Sequence, residues 1–266
     1  MDTRTLRETL RSWIIERGTV IREALEHREQ LIDDVETKSG RRDLVTNIDK
    51  ETERYFRDKL KTTFPDDLIL GEEGGGEQVD SLDGNVWIID PIDGTANFVL
   101  QQNHFGIMVG RYSDGKPQFG AIYEVMSDQY FDAVIGEGIE RNGEPYNLRF
   151  EDRSVEQALV AFNAGMAMKN KYQVQDFIAK TMGLRVYGSA EMEILGVLTG
   201  QLGIYGTQML HPWDMAAGNV LATEAGLKFT QLNGEPLDLL NGSSGLIGYP
   251  TIHQQFVAFY QEQVKQ

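Results

Sequence analysis

The sequence predicts an α+β fold, and three observations carry that reading. The first sixty residues hold two long stretches with apolar residues at helical spacing. From Val86 to Phe150 the chain breaks into short apolar runs separated by turn-forming pairs such as Asp114-Gly115 and Asn142-Gly143. Beyond Asp152, strand-like and helix-like segments alternate.

Taken in order, Leu6, Leu10, Trp13, Ile14, Ile21, Ala24 and Leu25 share one face between Thr3 and about His27, with charge on the other, which predicts a long amphipathic helix. The pattern breaks around Ser39 and Gly40. It resumes after Thr46, read as an N-cap, as "NIDKETERYFRDKLKTTF", where Ile48, Tyr55, Phe56 and Leu60 supply the apolar side. A short strand, "LIL", then delivers Gly71, Glu72 and Glu73 to a loop. "GGGE", residues 74 to 77, reads as a linker, because it lacks the lysine and the spacing of a nucleotide P-loop. "VWIID", "FGIMVGRY", "QFGAIYEV", "YFDAVIG" and "NLRF" read as strands of a mostly antiparallel sheet packed on the two early helices. The second region then runs strand "ALVAFN", a helix around Tyr172 to Lys180, strand "RVYG", a helix from Ser189, strand "LGIYG", a helix from about Asp214, strand "LKFT" and a terminal helix after Pro250. Two lobes are expected: residues 1–151, α+β, and residues 152–266, α/β.

Composition narrows the function. With 41% hydrophobic and 9% aromatic residues, the 266-residue chain has enough apolar material for a substantial core. Its 41 acidic and 25 basic residues give a formal net charge of -16, which argues against a nucleic acid partner. A small phosphorylated substrate stays open, since metal ions reverse the field inside one pocket. There is no cysteine, so disulfides, thiolate catalysis, zinc thiolate sites and iron–sulfur centres are all absent. The polar start and the lack of an 18-residue apolar run predict a cytoplasmic protein with no membrane partner.

The stretch "WIIDPIDGTANF" concentrates the chemistry. Pro91 fixes one backbone angle and removes a ladder donor, so the strand is expected to end at Asp90 and turn. Asp90 and Asp93 then point into one small volume, where their joint ionisation needs a compensating cation. Magnesium suits a set of carboxylates, carbonyls and phosphate. Gly94 permits close backbone approach, and the amides of Gly94 and Thr95 open a helix as donors for an anion. An isolated D-P-x-D is as readily a capped turn. Three further stretches change that balance: "LGEEGG" with Glu72 and Glu73, "DLVTNID" with Asp49, and "HPWDMAAG", which repeats the proline–aspartate spacing at Pro212 and Asp214.

Together, "DLVTNID", "GEE", "DPIDGTANF" and "PWDMAAG", in this order and at these spacings, resemble the inositol monophosphatase family of metal-dependent, lithium-sensitive phosphatases, its bacterial branch most of all. The likeness covers nearly the whole chain. It implies a layered alpha-beta-alpha-beta-alpha sandwich, two or three Mg2+ ions per active site, and a homodimer. By position, Glu72, Asp90 and the carbonyl of Ile92 would bind one ion. Asp90, Asp93 and Asp214 would bind a second, and Glu72 would lie near a weaker third. Asp49 and Thr95 match the pair that orients and deprotonates the attacking water, with Glu72 beside it. The amides of Gly94 and Thr95 would hold phosphate oxygens. Asp93, Ser189, Ala190 and Thr207 would face the substrate, and Lys38 matches a lysine in the family's mobile loop. Thr207 stands where the animal-type pattern has a glutamate that contacts inositol hydroxyls. The resemblance therefore implies hydrolysis of inositol 1-phosphate by direct attack of water, with fructose 1,6-bisphosphate, NADP and adenosine 3′,5′-bisphosphate as alternative substrates. A non-catalytic metal-binding protein is the remote alternative.

Overall fold

The computed structural model describes residues 1–26, 36–37, 44–45, 47–74, 78–148 and 152–265. Lys38, Arg41, Arg42, Thr46 and residues 75–77 fall outside them. The chain begins with α1 (Thr3–Glu26), then β1 (Glu36–Thr37) and β2 (Leu44–Val45), which pair with each other, and α2 (Asn47–Thr63). A seven-stranded sheet follows from β3 (Leu68–Gly71), β4 (Asn85–Asp93), β5 (Gly106–Ser113), β6 (Lys116–Glu124), β7 (Gln129–Val134), β8 (Gly138–Arg141) and β9 (Glu144–Tyr146), in that spatial order. Short α3 (Thr95–Gln101) joins β4 to β5. Only the β3–β4 pair is parallel, so the sheet is mostly antiparallel as the hairpin signals imply.

The second half supplies β10 (Leu159–Phe162), α4 (Ala164–Met168), α5 (Val174–Ile178), β11 (Gly183–Arg185), α6 (Ala190–Leu198), β12 (Ile204–Leu210), α7 (Pro212–Ala225), β13 (Lys228–Thr230), β14 (Ser243–Gly248) and α8 (Pro250–Val264). Its five strands are ordered β11-β10-β12-β14-β13. Five layers result: α1 and α2, the first sheet, α6 and α7, the second sheet, then α5 and α8. Alternation along β4 builds two of the interfaces. Trp87 and Ile89 face α1 and α2, whereas Val86 and Ile88 join the core that runs through α6 and α7 to the second sheet.

The buried stripe of α1 carries arginines among its apolar residues. Arg7 pairs with buried Asp132 of β7, and Arg17 Nε donates to Thr52 Oγ1 of α2 at 2.8 Å. These ion pairs and hydrogen bonds fix the helix on the sheet. Contact is close at Gly18, where a Cβ would sit 2.3 Å from Tyr123 Cε1.

Four expectations need correction. β4 does not end at Asp90; it continues to Asp93 through a bulge that opposes one extra residue to β5 between the pairs Asp90–Met108 and Asp93–Gly106. Pro91 sits inside that bulge, where no ladder donor is required of it. Of the strand placed at "NLRF", Asn147 and Leu148 are not in a strand and Arg149 and Phe150 lie outside the described residues; the preceding strand is Glu144–Tyr146, because the Asn142-Gly143 turn folds β9 straight back onto β8. Likewise "RVYG" is a strand only up to Arg185: the amide and carbonyl of Tyr187 are taken by side chains, Glu193 and Asn97, and not by a ladder. β14, like β8 and the short β1 and β2, is a strand that the sequence reading did not place. Its apolar content is short and flanked by glycines, which are needed because Cβ atoms at Gly245 and Gly248 would lie 2.5 Å from Leu210 Cδ1 and 2.9 Å from Ile204 Cγ1 of β12. Among the described residues no helix is long and apolar enough to cross a membrane.

α7 lies against β5 and β6 so closely that Cβ atoms at Gly110 and Gly120 would come within 3.0 Å of Ala216 Cβ and 2.6 Å of the Ala217 carbonyl oxygen. Because that obstruction at Gly120 is backbone, Gly120→Ala is expected to destabilise the fold by about 1–3 kcal/mol through overpacking. Denaturant unfolding checks this; an unchanged midpoint would show that α7 can back away from the sheet without loss.

Candidate active site

The bulge in β4 brings Asp90 and Asp93 to the same corner, and the first turn of α7 delivers Asp214 to it. One carboxylate oxygen from each of the three lies within 4.8 Å of the others. Asp90 and Asp93 are buried, and Asp214 is half-buried. Each carboxylate is held by one backbone amide from a different element. Asp90 Oδ1 accepts from Ile92 N at 3.1 Å, across the bulge. Asp93 Oδ2 accepts from Glu191 N at 2.6 Å, at the start of α6. Asp214 Oδ2 accepts from His211 N at 2.7 Å, in the N-cap of its own helix.

Burial and mutual repulsion raise the pKa of all three carboxyls. Burial pushes the Asp90 carboxyl well above its ordinary value, and the charges of Glu72, Asp93 and Asp214 add to it. Asp93 is pushed up to about 7 by burial and then by Asp214, against the pull of the Glu191 amide. Asp214 also reaches about 7, through burial and the charge of Glu72, with the His211 amide opposing. Such groups take up a divalent cation in exchange for protons. The donor set is all oxygen, which fits a hard ion.

Glu72 borders this cluster at the end of β3, and buried Glu53 of α2 sets the path of its loop. Glu53 Oε2 accepts from Glu73 N at 2.6 Å, and a Cβ on Gly71 would lie 2.3 Å from the same oxygen. Arg57 holds the other oxygen at 2.9 Å. On the opposite side, Thr95 Oγ1 lies 3.2 Å from Asp49 Oδ1 and 3.1 Å from the Ile92 carbonyl, two acceptors for one proton. Asp49, in the first turn of α2, is fully buried. Gly94 precedes α3 with φ +83°, a left-handed conformation that favours glycine.

A Cβ on Gly94 would also meet Ser189 Cβ at 2.7 Å, so the segment leading into α6 abuts the β4 corner. Ser189 caps α6 by accepting from Met192 N at 3.2 Å and donates to Glu191 Oε2 at 3.1 Å. Ala190 is buried beside it. Thr207 is turned inward, 2% exposed, and its hydroxyl donates to the Met209 carbonyl at 3.2 Å. Lys38 lies outside the described residues. His104 and His211 pack edge-on against Tyr187 and stacked on Trp213, respectively. Trp213 is half-buried against the core.

Sequence reasoning brought Asp49, Glu72, Asp90, Asp93, Thr95 and Asp214 forward, and the fold assembles them around one corner. It passed over Glu53, Asn97, Glu191 and Glu193. Two glutamates in the first turn of the otherwise apolar "AEMEILGVL" were the available signal, as was the four-residue spacing of Asp49 and Glu53 on one helix face.

Comparison with known proteins agrees with this geometry. The model of the inositol monophosphatase family matches residues 2–266. The inositol-1-monophosphatase of Bacillus subtilis (strain 168) is 42% identical over 257 residues, 95% of each chain. The fructose-1,6-bisphosphatase/inositol-1-monophosphatase of Thermotoga maritima is 31% identical over 235 residues, 88% of this chain and 89% of that protein. A solved IMPase/NADP phosphatase complexed with Mg2+ and phosphate superposes with a TM-score of 0.85 at 31% identity, covering 96% of this chain and 95% of that one. A corner of converging aspartates within a five-layered α+β fold, matched over the whole length at these identities, makes this phosphatase a member of the inositol monophosphatase family.

Proposed function

We propose that the chain is a magnesium-dependent phosphate monoester hydrolase acting on inositol 1-phosphate by direct attack of water. The observation that carries this reading is the convergence of Asp90, Asp93 and Asp214, with Glu72 at their edge and no soft donor in the set. Asp90, Asp93, Asp214, Glu72 and the Ile92 carbonyl would hold two ions, with a third beside Glu72. Bound magnesium lowers the pKa of an attacking water and neutralises charge on the phosphoryl and leaving-group oxygens.

The chain's own groups do the remainder. The Thr95 hydroxyl, within reach of Asp49, orients the attacking water, and Asp49 takes up its proton, with Glu72 as a further acceptor. The amides of Gly94 and Thr95 donate to phosphate oxygens, a fixed arrangement of dipoles that needs no reorganisation during reaction. Asp93, Ser189 and Ala190 face the leaving group, with Thr207 behind them. A second reading, hydrolysis of fructose 1,6-bisphosphate, NADP or adenosine 3′,5′-bisphosphate, is favoured by Thr207, which is uncharged and already bonded to the Met209 carbonyl. We infer a homodimer, to be read by light scattering as twice the chain mass.

Hydrolysis of inositol 1-phosphate should therefore require Mg2+ and cease on chelation, and Asp93→Asn or Asp214→Asn should lower turnover by at least about 100-fold at saturating magnesium. Rates within twofold of the parent would overturn the ligand assignment. A parallel panel of the other three esters, read as kcat/KM, decides between the two substrate readings.

The carboxylates also set a pH dependence. Asp93 and Asp214 move from 3.8 when unfolded to about 7 when folded, so the fold favours their protonated forms. Their contribution to stability is complete below about pH 4 and is lost as pH rises through about 7. Chelated protein should consequently melt lower at pH 8 than at pH 6, addition of Mg2+ should reverse this, and chelated Asp214→Asn should melt above the chelated parent at pH 8.

A further inference from the structure

Glu193 is buried at 3% exposure in the first turn of α6, yet it serves neither the aspartate cluster nor the helix it stands on. Its Oε1 accepts from the Tyr187 amide at 3.1 Å, and the Gly188 amide and the Tyr205 hydroxyl are further donors to its carboxylate. The Tyr187 carbonyl is taken from the other side by Asn97 Nδ2 at 2.9 Å, and the same nitrogen donates to the His104 carbonyl at 2.9 Å. Tyr187–Gly188 is thus clamped at both its donors and its acceptor, between α6 and α3. Gly188, at φ +86°, then turns the chain into Ser189, which packs on Gly94, and into the Glu191 amide that holds Asp93. Behind the carboxylate lies the buried Tyr205 hydroxyl, which donates to Glu193, while the hydroxyl of Thr207 donates to the Met209 carbonyl.

We propose that Glu193 is a positioning residue: by holding the Tyr187 and Gly188 amides, it sets the Ser189–Ala190 segment at the distance from the Gly94–Thr95 corner that the leaving group must fill. The inference rests on the phosphatase reading above. Phosphate itself is addressed by the aspartate corner and the amides of Gly94 and Thr95, whereas the alcohol portion meets the segment that Glu193 positions. Loss of the clamp therefore weakens recognition of the alcohol and leaves phosphate recognition in place.

Glu193→Gln keeps the shape but replaces a carboxylate accepting several donors by an amide with one accepting oxygen. Tyr205→Phe removes only one of the donors and serves as a milder second variant. At saturating Mg2+, Glu193→Gln is expected to raise KM for inositol 1-phosphate roughly tenfold, the order expected when a buried donor is left unsatisfied, with kcat within about threefold, and Tyr205→Phe is expected to shift KM the same way by less. Inhibition by inorganic phosphate, which has no alcohol portion, should be unchanged in both. KM within twofold of the parent, or kcat and phosphate inhibition falling in proportion to KM, would overturn the inference. A parent without phosphomonoesterase activity would instead refute the phosphatase reading, so the two failures are distinguishable.

Discussion

The structure depends on the repulsion among three carboxylates held in one buried corner. At separations under 5 Å each pair repels by roughly 3–4 kcal/mol at an effective dielectric constant of about 20, and each buried charge adds a desolvation penalty of several kcal/mol. The fold answers with one backbone amide per aspartate: Ile92 for Asp90, Glu191 for Asp93 and His211 for Asp214. A hydrogen bond to a charged group contributes about 1.5–3 kcal/mol, so three of them orient the carboxylates without balancing their charge. The remainder has to come from protons or from a cation, and the raised pKa of all three carboxyls expresses that choice.

Much else in the architecture follows from supplying those amides. The Ile92 amide is available because β4 carries a bulge at Pro91, and a regular strand would have turned one of the two aspartates to the other face. The Glu191 amide is available because α6 starts against the β4 corner, an approach close enough to exclude any side chain at Gly94. The His211 amide is available because α7 begins with Pro212, which commits the chain to a helix whose third residue is Asp214. Glu72 is placed by a different device, the carboxylate of Glu53 occupying the space a side chain at Gly71 would need.

How much of this could be read in advance varies with the range of the interaction. The helical faces of α1 and α2, the hairpins of the first sheet and the helix start at Asp214 rest on local periodicity and turn chemistry, and they stand as read except that Arg7 and Arg17 lie on the buried face of α1 and not opposite it. Asp90, Asp93 and Asp214 were legible because their residue types and proline spacing carry the chemistry directly. The bulge was not, since Pro91 is compatible with a strand end as well as with a kink inside a strand. Nor were the partners of the aspartates, because a backbone amide has no letter in a sequence. Glu193 looked like an ordinary acidic residue in a first helical turn, and only its contact with Tyr187 across a loop distinguishes it. Thr207 is buried where β12 is still in regular register with the unforeseen β14, opposite Gly245.

The closeness of α7 to the first sheet has a consequence for the order of events in synthesis. Asp90 and Asp93 leave the ribosome more than a hundred residues before Asp214, and the amide that holds Asp93 belongs to Glu191. A nascent chain that has completed only the first sheet therefore carries two acidic groups without their third partner, and Asp93 without its main-chain support. On the assignment proposed above, the ion shared by Asp90, Asp93 and Asp214 would have to wait until α6 and α7 have emerged, α7 docking on β5 and β6 where Gly110 and Gly120 leave it room. Occupation of the ligand set proposed for that ion would thus report a finished molecule, because a chain stalled or cut before residue 214 lacks one of its three carboxylates.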